Sequence, residues 1–119
     1  MKGILVQGSN GEAQFLTHEE RKTAIRITRE ALDQNGFKDT LVIAGTGAQS
    51  TKETIKLCKD AAEAGAAYVL VLTPSTWPKQ MTTANIVRFF HTVHICLRRE
   101  TIPAFDVEFH RLRTNLLFP

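Results

Sequence analysis

Gly3-Ile4-Leu5-Val6-Gln7-Gly8-Ser9-Asn10-Gly11-Glu12 opens with a short unbroken apolar run and ends in a loop where two glycines bracket two small polar residues. Apolarity without alternation is the habit of a strand buried on both faces, as in a parallel sheet. Glycines at the carboxyl end of such a strand let the backbone turn sharply and approach a ligand closely. Ser9 and Asn10 add a hydroxyl, an amide and successive backbone N–H groups, which suit an anion, most simply a carboxylate or a phosphate. From spacing alone, a strand-to-helix turn that needs glycine only for its geometry accounts for the loop at least as well.

The same punctuation recurs downstream. Thr17-His18-Glu19-Glu20 is a capping-box pattern, with Thr17 as N-cap and Glu20 reaching back. Ala24, Ile27, Ala31 and Leu32 then recur at helical spacing, and Asn35-Gly36 closes the helix. Leu41-Val42-Ile43-Ala44-Gly45 reads as a second buried strand running into Gly45-Thr46-Gly47. Ser50-Thr51-Lys52-Glu53 is a second capping box, opening a helix with Ile55, Cys58 and Ala62 on one face and Gly65 as its stop. Tyr68-Val69-Leu70-Val71-Leu72 is the third strand, and Thr73-Pro74-Ser75-Thr76-Trp77-Pro78 follows it. A third helix starts near Thr83 and carries Ile86, Phe90, Val93 and Leu97 inward.

The order is therefore β-α-β-α-β-α, an α/β chain of three βα units with strands near 3–7, 41–45 and 68–72. Such alternation implies parallel pairing through right-handed crossovers. Two folds contain it: an open doubly wound sheet, or part of a (β/α)8 barrel. Pattern alone does not separate them.

A chain of 119 residues, 43% hydrophobic and 23% charged, suits one small globular domain. Its net charge of +3 is spread over helix faces, with no basic run interleaved with aromatics, so no nucleic-acid partner is expected. No apolar segment approaches the ~20 residues that cross a bilayer, and the N-terminal run is too short for a secretory signal. Cys58 and Cys96 lie far apart on predicted helices and are expected to be reduced and packed. A cytoplasmic placement follows as the expectation; a mitochondrial one stays open, because a targeting segment would precede Met1. No metal and no cofactor is expected. Gly45-Thr46-Gly47-Ala48-Gln49-Ser50 lacks the third glycine of a dinucleotide fingerprint, and His18, His91, His94 and His110 form no cluster with carboxylates at ligand spacing.

The opening stretch resembles the dihydrodipicolinate synthase/N-acetylneuraminate lyase family of Schiff-base aldolases, whose signature here is G-[ST]-x-G-E. The wording Gln7-Gly8-Ser9-Asn10-Gly11-Glu12 is most similar to the 4-hydroxy-2-oxoglutarate aldolase branch. Ala44-Gly45-Thr46-Gly47-Ala48-Gln49-Ser50-Thr51 and Ala64-Gly65-Ala66-Ala67-Tyr68-Val69-Leu70-Val71-Leu72-Thr73-Pro74 resemble the family's next two strand segments, in order. Three ordered motifs are specific where any one would be weak. The resemblance runs from Gly3 to Val93 and implies a partial (β/α)8 TIM barrel that begins at the family's second strand. By motif position, Ser9 would join the proton relay. Gly8, Ser9, Asn10 and Gly11 would form the substrate-binding loop, with Asn10 holding the carboxylate of a small 2-oxo acid such as pyruvate. Family members usually assemble as homotetramers or dimers, and none of this chemistry implies a cofactor.

The chain departs from the family pattern in two further respects. The tyrosine usual after Thr-Pro, which completes the relay in a neighbouring subunit's site, falls on Trp77. An indole donates one hydrogen bond but does not shuttle a proton as a phenol does. Beyond His94 the resemblance stops, and neither the second tyrosine nor the imine-forming lysine of the later strands follows. Residues 94–119 hold Arg98, Arg99, Arg111 and Arg113 but no lysine and no tyrosine. The reading is a family domain over 1–93 and a divergent tail over 94–119. The change of usage fits a read-through intron or a shifted frame, with a disordered end or a genuine variant terminus as alternatives.

A class I aldolase of this kind is a carbon–carbon or carbon–oxygen lyase. It attacks a keto group with a desolvated, low-pKa lysine and moves protons through a tyrosine. The seven lysines here, Lys2, Lys22, Lys38, Lys52, Lys56, Lys59 and Lys79, all avoid the predicted strand interiors. Tyr68 begins a strand at the end remote from the loops where barrels place their sites. Glu12 is close enough in sequence to act as an acid, but capping the following helix or bracing the loop is the better reading. The leading expectation is a fragment of a pyruvate-type lyase that keeps its carboxylate-binding loop, lacks the imine lysine and is inactive alone. The alternative is a non-catalytic binding or assembly module built from the same half-barrel. A phosphate-binding α/β domain is a third.

Overall fold

A computed structural model describes residues 2–99. Strand β1 (Gly3–Val6), helix α1 (His18–Gln34), strand β2 (Leu41–Gly45), helix α2 (Thr51–Glu63), strand β3 (Tyr68–Leu70) and helix α3 (Thr83–Arg99) follow in the expected order. The three strands form one parallel sheet in the order β1-β2-β3. Sequential strands are spatial neighbours, and each crossover is a helix. That is the winding of a barrel segment, and one half of a doubly wound sheet shares it, so three strands alone do not separate the two folds.

Register sorts the strand residues onto two faces. Val6, Ala44 and Val69 form one row, and Leu5, Ile43 and Tyr68 the row beside it. Because side chains alternate along a strand, the two rows point opposite ways. The first row faces the helices: Val42, Ala44, Val69 and Val71 are fully buried there against Ile25, Cys58, Ala61, Phe90, Val93 and Leu97. Each large side chain buried in this way stabilises the fold by about 1.5–3 kcal/mol. The second row faces away, and it leaves Leu5 and Leu41 substantially exposed. Burial on both faces, expected for every strand, is thus met on one face only among the described residues.

Helix ends follow local chemistry. At α1 the Thr17 hydroxyl accepts the Glu20 N–H and the Glu20 carboxylate accepts the Thr17 N–H, so the capping box is complete. Gly36 and Gly65 take left-handed angles just past α1 and α2. At α2 only half of the expected box forms. Ser50 accepts the Glu53 N–H, but the Glu53 carboxylate turns to His18, 2.6 Å from its Nε2.

Two predicted helix faces are rotated. In α1 the buried residue is Ile25, while Ile27 and Ala31 are exposed. The inner face instead carries Arg29, whose guanidinium donates to the carbonyls of Thr40, Phe37 and Lys38 and so ties down the loop into β2. In α2 the buried face is Thr54, Leu57, Cys58 and Ala61; Ile55 and Ala62 flank it. Helix α3 matches its expected face: Phe90, Val93 and Leu97 are buried, joined by Phe89, with Ile86 packed at the edge. It continues through residue 94 to Arg99. The remainder of the expected tail, His110 included, lies outside the described residues.

Candidate functional site

The carboxyl ends of the three strands converge on an open concavity of about 470 Å³. One wall is the motif loop with its flanks: Leu5, Gln7, Gly8, Ser9, Glu12 and, from α1, Arg21. The other is formed by Gly45, Gly47, Leu70 and Leu72. A site at the carboxyl end of parallel barrel strands is where this architecture places its chemistry.

The loop is wound tightly. β1 stops at Val6, one residue earlier than expected, because Gln7 takes a left-handed angle (φ 61°). Ser9–Gly11 then forms a single 3-10 turn in which the Gly11 N–H donates to the Gly8 carbonyl at 2.8 Å. Glu12 takes a second left-handed angle (φ 49°) and starts another short turn, its carbonyl accepting the Phe15 N–H. Two non-glycine residues in left-handed backbone thus bracket the motif, each costing about 1 kcal/mol that its surroundings must offset.

Those surroundings are specific. The Gln7 side-chain amide donates to the Arg21 carbonyl at 2.6 Å, fixing the loop to the first turns of α1. Across the sheet, Gly45 packs against the Gln7 carbonyl with no room for a β-carbon, and a β-carbon on Gly47 would stand 2.8 Å from the Leu72 nitrogen. The glycines of the second strand end are therefore needed for close approach, not for a left-handed angle. Beyond them, the Gln49 carboxamide oxygen accepts the N–H groups of Ser75 and Thr76, each at 2.9 Å, and so links the second loop to the third.

Of the residues proposed from sequence, Gly8 and Ser9 line the concavity, Asn10 and Gly11 complete the turn beside it, and Trp77 lies outside its lining with its side chain 70% exposed. Glu12 is exposed and does not cap α1, a task done by Thr17 and Glu20. Tyr68 starts β3 in the row of Leu5 and Ile43, at the strand end away from the loops. None of the seven lysines lines the concavity. Lys22 pairs with Glu19 and Glu63, and Lys56 with Asp60, on helix surfaces.

Two residues that sequence reading passed over lie at the site. Gln7 enters the sequence reading only as the end of the apolar run and the first residue of the motif wording, with no role attached. Arg21 is not singled out by the sequence, yet it lines the concavity with a long 3.5 Å contact to the Gly45 carbonyl, and its buried Nε has no hydrogen-bond partner among the described residues. Burial lowers the Arg21 pKa, a shift the Glu53 charge opposes. His18, which spacing left without a carboxylate, stands between Glu53 and Asp60 where α1 meets α2, 2.6 and 3.4 Å away. No group of three or more His, Cys, Asp or Glu side chains is placed to hold a metal ion among the described residues. No helix among them is long and apolar enough to cross a membrane.

The model of the dihydrodipicolinate synthetase family matches residues 1–102. A protein of Emericella nidulans named "Probable 4-hydroxy-2-oxoglutarate aldolase, mitochondrial" is 54% identical over 91 residues, which are 76% of this chain and 29% of that protein. The L-threo-3-deoxy-hexylosonate aldolase of Aspergillus niger is 53% identical over 94 residues, 76% of this chain and 28% of that enzyme. Among solved structures, Escherichia coli YagE in complex with pyruvate superposes with a TM-score of 0.72 at 30% identity, over 92% of this chain and 33% of that one. The chain spans less than a third of the length of the two aldolases it matches. Sequence, strand order and the placement of the motif loop agree: this chain belongs to the dihydrodipicolinate synthetase family of aldolases and lyases and has the fold of part of its TIM barrel.

Proposed function

We propose that residues 1–93 are the carboxylate-gripping part of a class I, Schiff-base aldolase acting on 2-oxo acids such as pyruvate, and that the chain alone does not catalyse the reaction. Residues 94–119 are assigned to a divergent tail. The observation that carries the reading is the lining of the concavity: Gly8 and Ser9 bring backbone and a hydroxyl to it, Asn10 stands in the turn beside it, and no lysine lines it. Donors held in place before the ligand arrives stabilise an anion without reorganising at the moment of binding. The Ser9 hydroxyl is the relay donor in this reading, and Asn10 holds the substrate carboxylate. Trp77 replaces the relay tyrosine and lowers proton transfer further. An imine needs a neutral amine at the keto carbon, so binding and catalysis separate in this chain. The names of relatives support the substrate class: two act on oxo-sugar-acid or hydroxy-oxo-acid substrates by name, and YagE was solved with pyruvate.

The test is borohydride reduction of the chain in the presence of pyruvate. The expected result is no covalent adduct by mass spectrometry, together with pyruvate-dependent NMR shifts at Ser9 and Asn10. An adduct on any of the seven lysines refutes the division of labour.

A second reading, a non-catalytic assembly module, is favoured by a separate observation. β1 and β3 each have only one strand neighbour among the described residues, and Leu5 and Leu41 are exposed on the sheet face turned from the helices. This reading expects a complex with a complete relative by size-exclusion chromatography, lost when Leu5 and Leu41 are made polar.

A further inference from the structure

Gln7 holds a backbone conformation that glycine, asparagine or aspartate would adopt with less strain. An outlier of this kind persists when its side chain or its surroundings repay it. Here the side chain does: its amide donates a short, part-buried hydrogen bond to the Arg21 carbonyl. The surroundings contribute as well, since Gly45 packs directly on the Gln7 carbonyl. The left-handed angle is also what turns the chain from the strand direction into the Gly8–Gly11 turn.

From this geometry we propose that Gln7 is a positioning residue: its amide clamps the entry of the motif loop to α1 and so sets how Gly8 and Ser9 face the concavity and how the turn beside it is held. The inference rests on the carboxylate-binding reading for its ligand, but not for its geometry. Without the clamp, the strained angle at residue 7 has one support fewer, and the turn closed by the Gly11 N–H to Gly8 carbonyl bond opens more often.

The experiment uses the full 119-residue chain, isotope-labelled, with pyruvate as the probe. Gln7→Asn keeps a residue at ease in left-handed backbone but shortens the amide by one methylene, so it no longer reaches Arg21. Gln7→Gly removes both strain and amide. Ser9→Ala reports on the proposed ligand site itself. Both Gln7 variants are expected to speed water exchange of the Gly11 amide about tenfold, leave β2 and α2 amide protection unchanged, and weaken pyruvate binding at least about fivefold. Unchanged Gly11 exchange overturns the proposal, as does full retention of pyruvate affinity. Loss of protection throughout β2 and α2 in both variants makes Gln7 a general stability residue and overturns it too. If the parent chain and Ser9→Ala both ignore pyruvate, the carboxylate reading has failed, and the Gly11 exchange rate still decides the positioning role.

Discussion

Gly45 lies against Gln7 so closely that a β-carbon at position 45 would overlap the Gln7 carbonyl group and stand 3.2 Å from the Gly8 nitrogen. All of the obstructing atoms are backbone, so none can swing aside. Gly45→Ala should therefore destabilise the chain by about 3 kcal/mol, at the upper end of overpacking costs, and displace the motif loop with it. Gly11→Ala is the control. Nothing lies within 4 Å of its added methyl and its angle is not left-handed, so its cost should stay within about 0.5 kcal/mol. Urea midpoints of the two variants decide; equal losses would mean that strand-end proximity does not matter.

Cys58 is fully buried, and its thiol donates to the Thr46 hydroxyl at 3.2 Å. Burial pushes its pKa from 9.0 to about 11, with the Thr46 bond opposing. The thiolate is the reactive form, so Cys58 should resist iodoacetamide and Ellman's reagent at pH 8, while the partly exposed Cys96 reacts. A group that holds its proton more tightly when folded makes unfolding easier as pH rises between its two pKa values. This contribution is complete below pH 9.0 and is lost towards pH 11, about 2–3 kcal/mol in all. Cys58→Ala should flatten that alkaline decline.

The complete cap on α1 and the half cap on α2 should differ in cost. Thr17→Ala removes a hydroxyl that accepts the Glu20 N–H and should destabilise by about 1 kcal/mol. The same box, with its bonds to the Thr17 N–H and hydroxyl, lowers the Glu20 carboxyl pKa below 4.5. Its stabilising effect is present above pH 4.5 and is lost as pH falls through the depressed value. Thr17→Ala should thus weaken the acid dependence of the thermal midpoint. Ser50→Ala should cost no more than Thr17→Ala and leave the acid limb unchanged, because Glu53 is bound to His18 instead.

Which parts of this molecule were legible in sequence follows from how local each cause is. Thr17, Ser50, Gly36 and Gly65 act within one helical turn, and the elements they delimit appear where spacing puts them. The inner face of α1 was misread because Arg29, a residue that sequence reading leaves in solvent, is held inside by three carbonyls of the 37–40 loop. Glu53 was misassigned to its own cap because its competitor, His18, is 35 positions away. The left-handed angle at Gln7 had no signal, since glutamine has no preference for it. At the site, the glycines and small polar residues of the motif announced the loop, whereas Arg21 entered it through helix–sheet packing that no spacing encodes.

Gln49 offers the last prediction, because its side chain bonds to the backbone of the Trp77 loop at Ser75 and Thr76. One oxygen accepts two N–H groups there, and no donor on Gln49 is needed for the job. Gln49→Glu keeps the acceptor and strengthens it with charge, so loop order should be held or raised. Gln49→Lys replaces the acceptor with a cation and leaves both N–H groups to water, at a cost of about 1 kcal/mol for the lost bonds. Trp77 is 70% exposed and is the sole tryptophan in the sequence, so its fluorescence anisotropy decay reads the loop directly. The expected order of loop mobility is Gln49→Lys above the parent chain, with Gln49→Glu at or below it. Equal mobility in all three would mean that the Gln49 bonds do not hold the loop.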